Sequence, residues 1–267
     1  MRRLRPDVRP AVRGRGRDRS RRRPLNVSTS GAQRPAVHTD AVLFDVDDTL
    51  CRYRRTGDEL LAVAFERTGL DPFVTLAEYH DRYPEFVDDS DSVVDLRERC
   101  FAAIAAEKGH DPEAGRRVAR AYADERDHGN VEPTAGLDAA LSALDDLPLG
   151  VVTNGAPKMQ SAKLAGLGLA DAFDVVVHAG YDAPAKPSPA PFREALSALD
   201  ARPERTYHVG DSLSSDVAGA RAAGVGAVWL TGEEPAAAPD EEPDPEPEPE
   251  PDHAVATLAE LPGVLGR

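Results

Sequence analysis

The sequence predicts an α/β fold: a doubly wound, mostly parallel, Rossmann-like sheet with an inserted α-helical domain. Three observations predict it. Short, near-continuous apolar runs recur along the chain, as expected for strands covered on both faces of a parallel sheet. Helix-like segments separate these runs, giving the β–α alternation of doubly wound domains. One connection, from Asp45 to Thr153, exceeds a hundred residues, and most of it has a helical rather than a loop pattern.

Taken in order, residues 1–38 are rich in Arg, Pro, Gly and Ser without apolar periodicity and are predicted to be disordered. Ala41–Asp45 reads as the first strand. Within the insertion, residues 52–130, the segments "DELLAVAFERTG" and "VVDLRERCFAAIAAEKG" place apolar residues at i, i+3 and i+4 and stop at Gly69 and Gly109. Then follow a helix at Thr134–Asp145, a strand at Leu149–Thr153, a helix at Pro157–Leu167 and a strand at Asp174–His178. A helix at Pro189–Leu199, a strand at Thr206–Gly210, a helix at Ser214–Ala223 and a strand at Ala227–Leu230 complete the alternation, with Gly168 and Gly224 read as helix stops. Residues 233–252, "EEPAAAPDEEPDPEPEPEPD", are acidic and proline-rich and read as a solvated linker. Residues 253–267 resume structure as a short edge strand and a terminal helix. The α/β core is thus assembled from 39–51, 131–232 and 253–267.

Composition narrows the function classes. No apolar run approaches the roughly 18–20 residues of a membrane span, and no apolar segment follows the basic start as in a secretory signal. Cys51 and Cys100 have neither metal-type nor disulfide-scaffold spacing, which fits a reducing cytoplasm. Residues 1–34 carry twelve arginines against Asp7 and Asp18, a balance of +10; since the whole chain is at −15, the remainder carries −25. No aromatic side chain interleaves the arginines to stack on bases, so this stretch reads as a non-working extension, an over-extended start, rather than a nucleic-acid tail. The acidic remainder has only four lysines, Lys108, Lys158, Lys163 and Lys186. That balance suggests a halophilic protein, because molar salt shortens the Debye length to about 3 Å and screens self-repulsion.

Polar residues cluster after the strands. "VLF" is followed by Asp45, Asp47, Asp48 and Thr49; "LGVV" by Thr153, Asn154 and Gly155; "DVVVHAG" leads to Lys186–Pro187; "YHVG" is followed by Asp211 and Ser212, with Asp216 five residues beyond Asp211. In a parallel sheet these carboxyl ends share one edge, where such folds bind ligands. Asp45, Asp47 and Asp211 are hard oxygen donors suited to Mg²⁺, which would also offset the repulsion among them. Thr153 and Asn154 can donate to a phosphoryl oxygen, and Lys186 supplies a point charge. A carboxylate nucleophile there could form an aspartyl-phosphate.

Asp45-x-Asp47-x-Thr49, Thr153-Asn154-Gly155, Lys186-Pro187 and Gly210-Asp211-Ser212-x-x-x-Asp216 resemble, in order, the four motifs of the haloacid dehalogenase-like (HAD) hydrolase superfamily. The helical insertion resembles that superfamily's cap. The resemblance covers roughly residues 39–231. It implies a Mg²⁺-dependent phosphatase acting on a small phosphorylated metabolite. Asp45 would be the nucleophile and Asp47 the general acid and base, with the Asp47 main-chain carbonyl facing the metal. Thr153, Asn154 and Lys186 would bind the phosphoryl group, Asp211 the metal, and Asp216 and Ser212 would support the site. The superfamily's dehalogenases lack the second aspartate, so Asp47 favours a phosphoryl substrate over a 2-haloacid. A phosphosugar mutase of the same superfamily is the near alternative.

Other polar residues read as structural. Asp48 caps the turn, Cys51 is a small buried residue, and His208 is a core or supporting residue. His80 and His178 carry no signal. Tyr53, Arg54 and Arg55 read equally as a solvated hinge or as substrate contacts. A phosphoacceptor receiver domain would place its acidic pair and its phosphorylated Asp on different strands and has no such insertion. A non-catalytic binding module on a decayed enzyme scaffold would be expected to lack a motif residue, and none is missing. The sequence names neither a substrate nor an oligomeric state.

Overall fold

Strand β1, Ala41–Phe44, has every residue buried, as expected for a strand covered on both faces of a parallel sheet. In the computed structural model, which describes residues 38–87, 89–232 and 249–267, β1 lies in the middle of a six-stranded sheet. The extension 1–37 and the linker segment 233–248, both read as unstructured from the sequence, lie outside the described residues.

After β1 come β2 (Cys51–Tyr53), α1 (Gly57–Thr68), α2 (Leu76–Arg82), α3 (Val93–Glu107) and α4 (Pro112–Glu125). Then follow β3 (Val131–Pro133), α5 (Leu137–Ala143), β4 (Leu149–Thr153), α6 (Pro157–Gly166), β5 (Val175–His178) and α7 (Ala190–Leu199). The chain ends with β6 (Thr206–Gly210), α8 (Ala218–Ala223), β7 (Gly226–Leu230), β8 (His253–Val255) and α9 (Leu261–Val264). The sheet order is β5-β4-β1-β6-β7-β8, and every neighbouring pair is parallel. Phe44 pairs with Val151 and Val209, Thr153 with His178, and Gly210 with Trp229, so the carboxyl ends line up along one edge. The order reverses at β1, whose two neighbours continue in opposite directions. This is the switch point at which open α/β sheets form their ligand crevice. Leu43, Val152 and Val177 of the sheet pack with Phe192 and Leu196 of α7 and with Ala220 of α8.

The expected α/β fold is the observed one, with adjusted boundaries. The predicted helix Thr134–Asp145 contracts to α5. The Thr134 hydroxyl instead donates to the Thr49 carbonyl at 2.6 Å, and Gly136 turns with φ of +82° before the first helical residue. The predicted helix Ser214–Ala223 opens with a π-helical turn, Leu213–Val217, before α8. Gly69, Gly109, Gly168 and Gly224, the expected helix stops, all have positive φ.

The described residues divide into two compact units, those of 38–52, 131–232 and 249–267, and those between 53 and 130. The second is helical. Its helices start at side-chain caps: Thr56 and Thr75 form capping boxes with Glu59 and Glu78, while Ser92 and Asp111 accept from Asp95 and Glu113 N–H. α3 and α4 approach closely at Gly115, where an added Cβ would lie 2.3 Å from the Phe101 carbonyl oxygen. Phe65, Phe73, Tyr79, Phe101, Ile104 and Tyr122 fill the interior of this unit. Among the described residues, no helix is long and apolar enough to cross a membrane.

Candidate active site

Lys186 organises the carboxyl edge of the sheet. It is 5% exposed, and its ammonium makes three donations: to Asp45 Oδ1 at 2.7 Å, Asp216 Oδ1 at 2.7 Å and the Val152 carbonyl at 2.8 Å. A buried ammonium with all three protons placed escapes most of its desolvation penalty. Burial works to lower its pKa, yet the charges of Asp45 and Asp216 raise it on balance, so Lys186 stays charged.

Asp45 follows β1 directly, and its N–H donates to the Val209 carbonyl at 2.9 Å, fixing the carboxylate just beyond the strand. Burial pushes its pKa up to about 7; Lys186 opposes that shift, and the Asp216 charge adds to it. Asp216 takes the opposite course. Although burial disfavours its ionised form, hydrogen bonding and charge from His208 and Lys186 hold it down to about 2. Its Oδ1 also accepts from His208 Nε2 at 2.9 Å, and its Oδ2 from the Ser212 N–H at 3.2 Å. Burial lowers the His208 pKa, so the ring is neutral and its Nε2–H faces the carboxylate. His208 is therefore a core residue with a supporting bond, as its strand position suggests.

Asp211 is partly exposed. Burial first, then the charges of Asp216 and Asp48, raise it to about 6. Thr49 Oγ1 donates to Asp211 Oδ1 at 3.4 Å, and the Trp229 indole N–H donates to its main-chain oxygen at 2.8 Å. One oxygen each from Asp45, Asp211 and Asp216 lie within 4.8 Å of one another. Burial, and then mutual repulsion, raises the pKa of two of these three carboxyls, and hard oxygens in this grouping fit a small divalent cation that would offset both.

Thr153 is 1% exposed, and its Oγ1 accepts from the Gly155 N–H at 3.2 Å. The Asn154 amide grips the Lys186 main chain, accepting from its N–H at 2.8 Å and donating to its carbonyl at 3.2 Å. Asn154 thereby fixes the loop that carries the lysine. Ser212 Oγ accepts from the Ser215 N–H at 3.2 Å and starts the π-helical turn that brings Asp216 back to the site.

Asp47 is arranged differently. Its carboxylate is 45% exposed, but its donors are buried: Gln160 Nε2 at 2.8 Å and the Lys163 ammonium. Gln160 and Lys163 lie on α6 and are 0% and 1% exposed. Gly155 makes room for this arm, since a Cβ there would fall 1.6 Å from Gln160 Nε2. The motif reading missed both α6 residues. One signal was available: in a region with four lysines, Lys163 recurs within an otherwise core-facing helical pattern. Asp48 takes φ of +54°, its N–H bonds the Cys51 carbonyl at 2.9 Å, and its side chain faces Arg52 at 3.6 Å, so it belongs to the turn. Burial pushes the Cys51 thiol up to about 12, which favours the neutral thiol over a thiolate. His178 pairs with Asp182 at 3.1 Å, and Arg55 with Glu125 at 3.3 Å in the helical unit.

The site thus joins a buried Asp–Lys–Asp arrangement at the switch point of a parallel sheet to a further aspartate two residues after the first. The model of the haloacid dehalogenase-like hydrolase family matches residues 39–224, and the chain belongs to that family. It is 30% identical to the ribulose-1,5-bisphosphate 5-phosphatase of Halopiger xanaduensis, over 83% of this chain and 97% of that protein. It is 42% identical to the phosphoserine phosphatase of Thermus thermophilus, over 54% of this chain and 60% of that protein. Among solved structures, the 2-haloacid dehalogenase of Pseudomonas syringae superposes with a TM-score of 0.61 at 28% identity, covering 86% of this chain and 99% of that one. Within the family, the chain is a phosphatase, a phosphoric monoester hydrolase.

Proposed function

We propose that the protein is a Mg²⁺-dependent phosphatase that hydrolyses a small phosphomonoester through an aspartyl-phosphate on Asp45. The observation that carries this reading is the division of labour among the aspartates. Asp45 is buried and held by Lys186 through one oxygen, leaving Oδ2 for attack, whereas Asp47 keeps a half-exposed carboxylate on the same loop.

In the first step, Asp45 Oδ2 forms a bond to phosphorus as the ester P–O bond breaks, and Asp47 delivers a proton to the leaving alcohol oxygen. In the second, water attacks phosphorus, Asp47 takes its proton, and the acyl phosphate P–O bond breaks to release inorganic phosphate and restore Asp45. Thr153 donates to a phosphoryl oxygen, Lys186 supplies positive charge beside Asp45 with its protons already engaged, and Asn154 holds the Lys186 loop in place. Asp45, Asp211 and the Asp47 main-chain carbonyl would hold the magnesium ion. When bound, it supplies positive charge that keeps Asp45 ionised and offsets charge on the transferring group. Asp216 serves as the fixed counter-charge of Lys186. The helical unit corresponds to the family's cap and selects the substrate. The strongly acidic composition implies turnover that rises with ionic strength, and faster turnover in dilute buffer than in molar KCl would refute that. The buried, free thiols of Cys51 and Cys100 suit a reducing cytoplasm.

The deciding assay is phosphate release from an aryl phosphate in molar KCl, with and without Mg²⁺, comparing wild type with Asp45→Asn. Release that requires Mg²⁺ and is lost in the variant supports the mechanism. Metal-independent release, or release that survives the substitution, overturns it.

A further inference from the structure

The helical unit has an unusual pair of cations. Arg55, Arg67, Arg82, Arg99, Arg116 and Arg120 each face a glutamate or aspartate of the same unit. Arg97 is buried and Arg126 half-buried, and among the described residues neither forms an ion pair. Arg97 is 8% exposed. Its Cζ lies 5.0 Å from the Tyr122 ring centroid and 5.9 Å from that of Tyr79. Arg126 shares the Tyr122 ring at 5.9 Å, covers Tyr53 at 4.7 Å and donates through Nη1 to the Tyr122 hydroxyl at 2.7 Å. The Nε–H of both arginines is buried without a hydrogen-bond partner.

Two guanidinium groups against one aromatic ring repel each other. Ring faces attract cations, but they supply no acceptor for an N–H. A buried donor left unmatched, in a chain so rich in carboxylates, calls for an external acceptor. Guanidinium forks match planar carboxylate and tetrahedral phosphate oxygens, and the lack of an internal counter-ion selects an anion over a neutral ligand.

We propose that Arg97 and Arg126, framed by Tyr53, Tyr79 and Tyr122, form an oxyanion-binding site of the helical unit that takes a carboxylate or phosphate group. The anion comes either from a phosphorylated substrate carrying a second charge or from free solute. The first source rests on the phosphatase reading; the site itself does not.

The test uses the full chain and the variants Arg97→Met and Arg126→Met, which keep the unbranched stem and remove the charge. Thermal midpoints are followed while malonate replaces chloride at constant ionic strength in Mg²⁺-free molar salt. The wild type should be stabilised, and each variant should lose that increment. In parallel, KM is measured for an aryl phosphate and for phosphoglycolate, which adds a carboxylate. A rise of roughly tenfold or more for phosphoglycolate, with the aryl phosphate within about twofold, identifies the substrate as the source. Lost malonate stabilisation with an unchanged KM ratio identifies a free anion. Equal stabilisation of wild type and both variants, with unchanged KM ratios, overturns the proposal. Should Arg97→Met fail to fold, the half-buried Arg126→Met carries the same readouts. A wild type without any phosphatase turnover would sink the phosphatase reading, and the malonate comparison would still decide this one.

Discussion

Two lysines of the α/β unit each grip a site aspartate, and they do so in opposite settings. Around Lys186, both partners are buried: Asp45 and Asp216 share the ammonium, and His208 and the Ser212 N–H complete the shell. Around Lys163, the lysine is buried but the carboxylate of Asp47 is 45% exposed. The first arrangement suits a nucleophile, which must not wander. The second suits an acid–base group that exchanges protons with substrate and water while its position is set from behind. Burial of the donor fixes geometry, and exposure of the acceptor preserves proton traffic.

The comparison can be broken at several points. The largest effect is expected for Asp45→Asn, which removes the proposed nucleophile and should lower turnover of an aryl phosphate by at least about 10⁴-fold with the fold intact. Lys186→Met leaves two buried carboxylates without their common partner and should cost about 3–5 kcal/mol in denaturant unfolding, together with activity. Lys163→Met is the contrasting case. Its carboxylate partner remains in contact with water, so stability should change by less than about 1 kcal/mol, while kcat falls roughly 10–100-fold with KM little altered. If Lys163→Met proved as destabilising as Lys186→Met, the distinction between the two settings would be lost. Gly155→Ala, which pushes the Gln160 arm away from Asp47, should lower kcat by a smaller factor, about threefold to tenfold, in the same assay.

Acidity gives the most graded probe. Asp45 is raised from an ordinary value of 3.8 to about 7, so the folded state binds its proton more tightly than the unfolded chain. In metal-free protein its contribution is therefore fully favourable below about pH 4 and is lost as pH rises towards 7. Asp211, raised to about 6, acts in the same direction with more solvent screening. Asp216 has the opposite sign: held at about 2, it stabilises above its ordinary 3.8 and loses that stabilisation as pH falls through 2. Thermal midpoints of metal-free protein should thus decline between about pH 4 and 7, and added Mg²⁺ should flatten that decline. An identical profile with and without Mg²⁺ would argue against a cation beside Asp45.

Most of the fold was legible because parallel strands buried on both faces leave apolar runs that no other arrangement tolerates. The Lys186 half of the site was equally legible. Its members sit directly after strands or in the short loops that follow, so linear order translates into spatial proximity once the sheet is parallel. The Asp47 half was not. Gln160 and Lys163 reach the site from inside a helix, one turn apart, and a polar residue on a buried helical face looks like any other interruption of an apolar pattern. Only Gly155, whose missing Cβ admits Gln160, sits inside a recognisable motif. The aromatic setting of Arg97 was hidden for a similar reason: nothing local distinguishes an arginine that finds tyrosines from one that finds glutamates. The shortened α5 shows a further limit, since the Thr134 hydroxyl is diverted to the Thr49 carbonyl, a partner remote in sequence.

The central position of β1 has a consequence for how the chain is made. Its neighbours, β4 and β6, are both translated after the helical unit, so the first strand emerges from the ribosome with nothing to pair with. The helical unit is complete as soon as Asn130 has emerged, and its ends are already tied by the Arg54 N–H to the Asn130 carbonyl at 3.2 Å. Local helical contacts form faster than pairings across a hundred residues. Folding during synthesis should therefore begin in the interior of the chain, with β1 and its aspartates waiting as an unpaired, sticky segment until β4 arrives. Asp45, Asp47 and Asp48 at the end of that strand give the waiting segment negative charge in the interval.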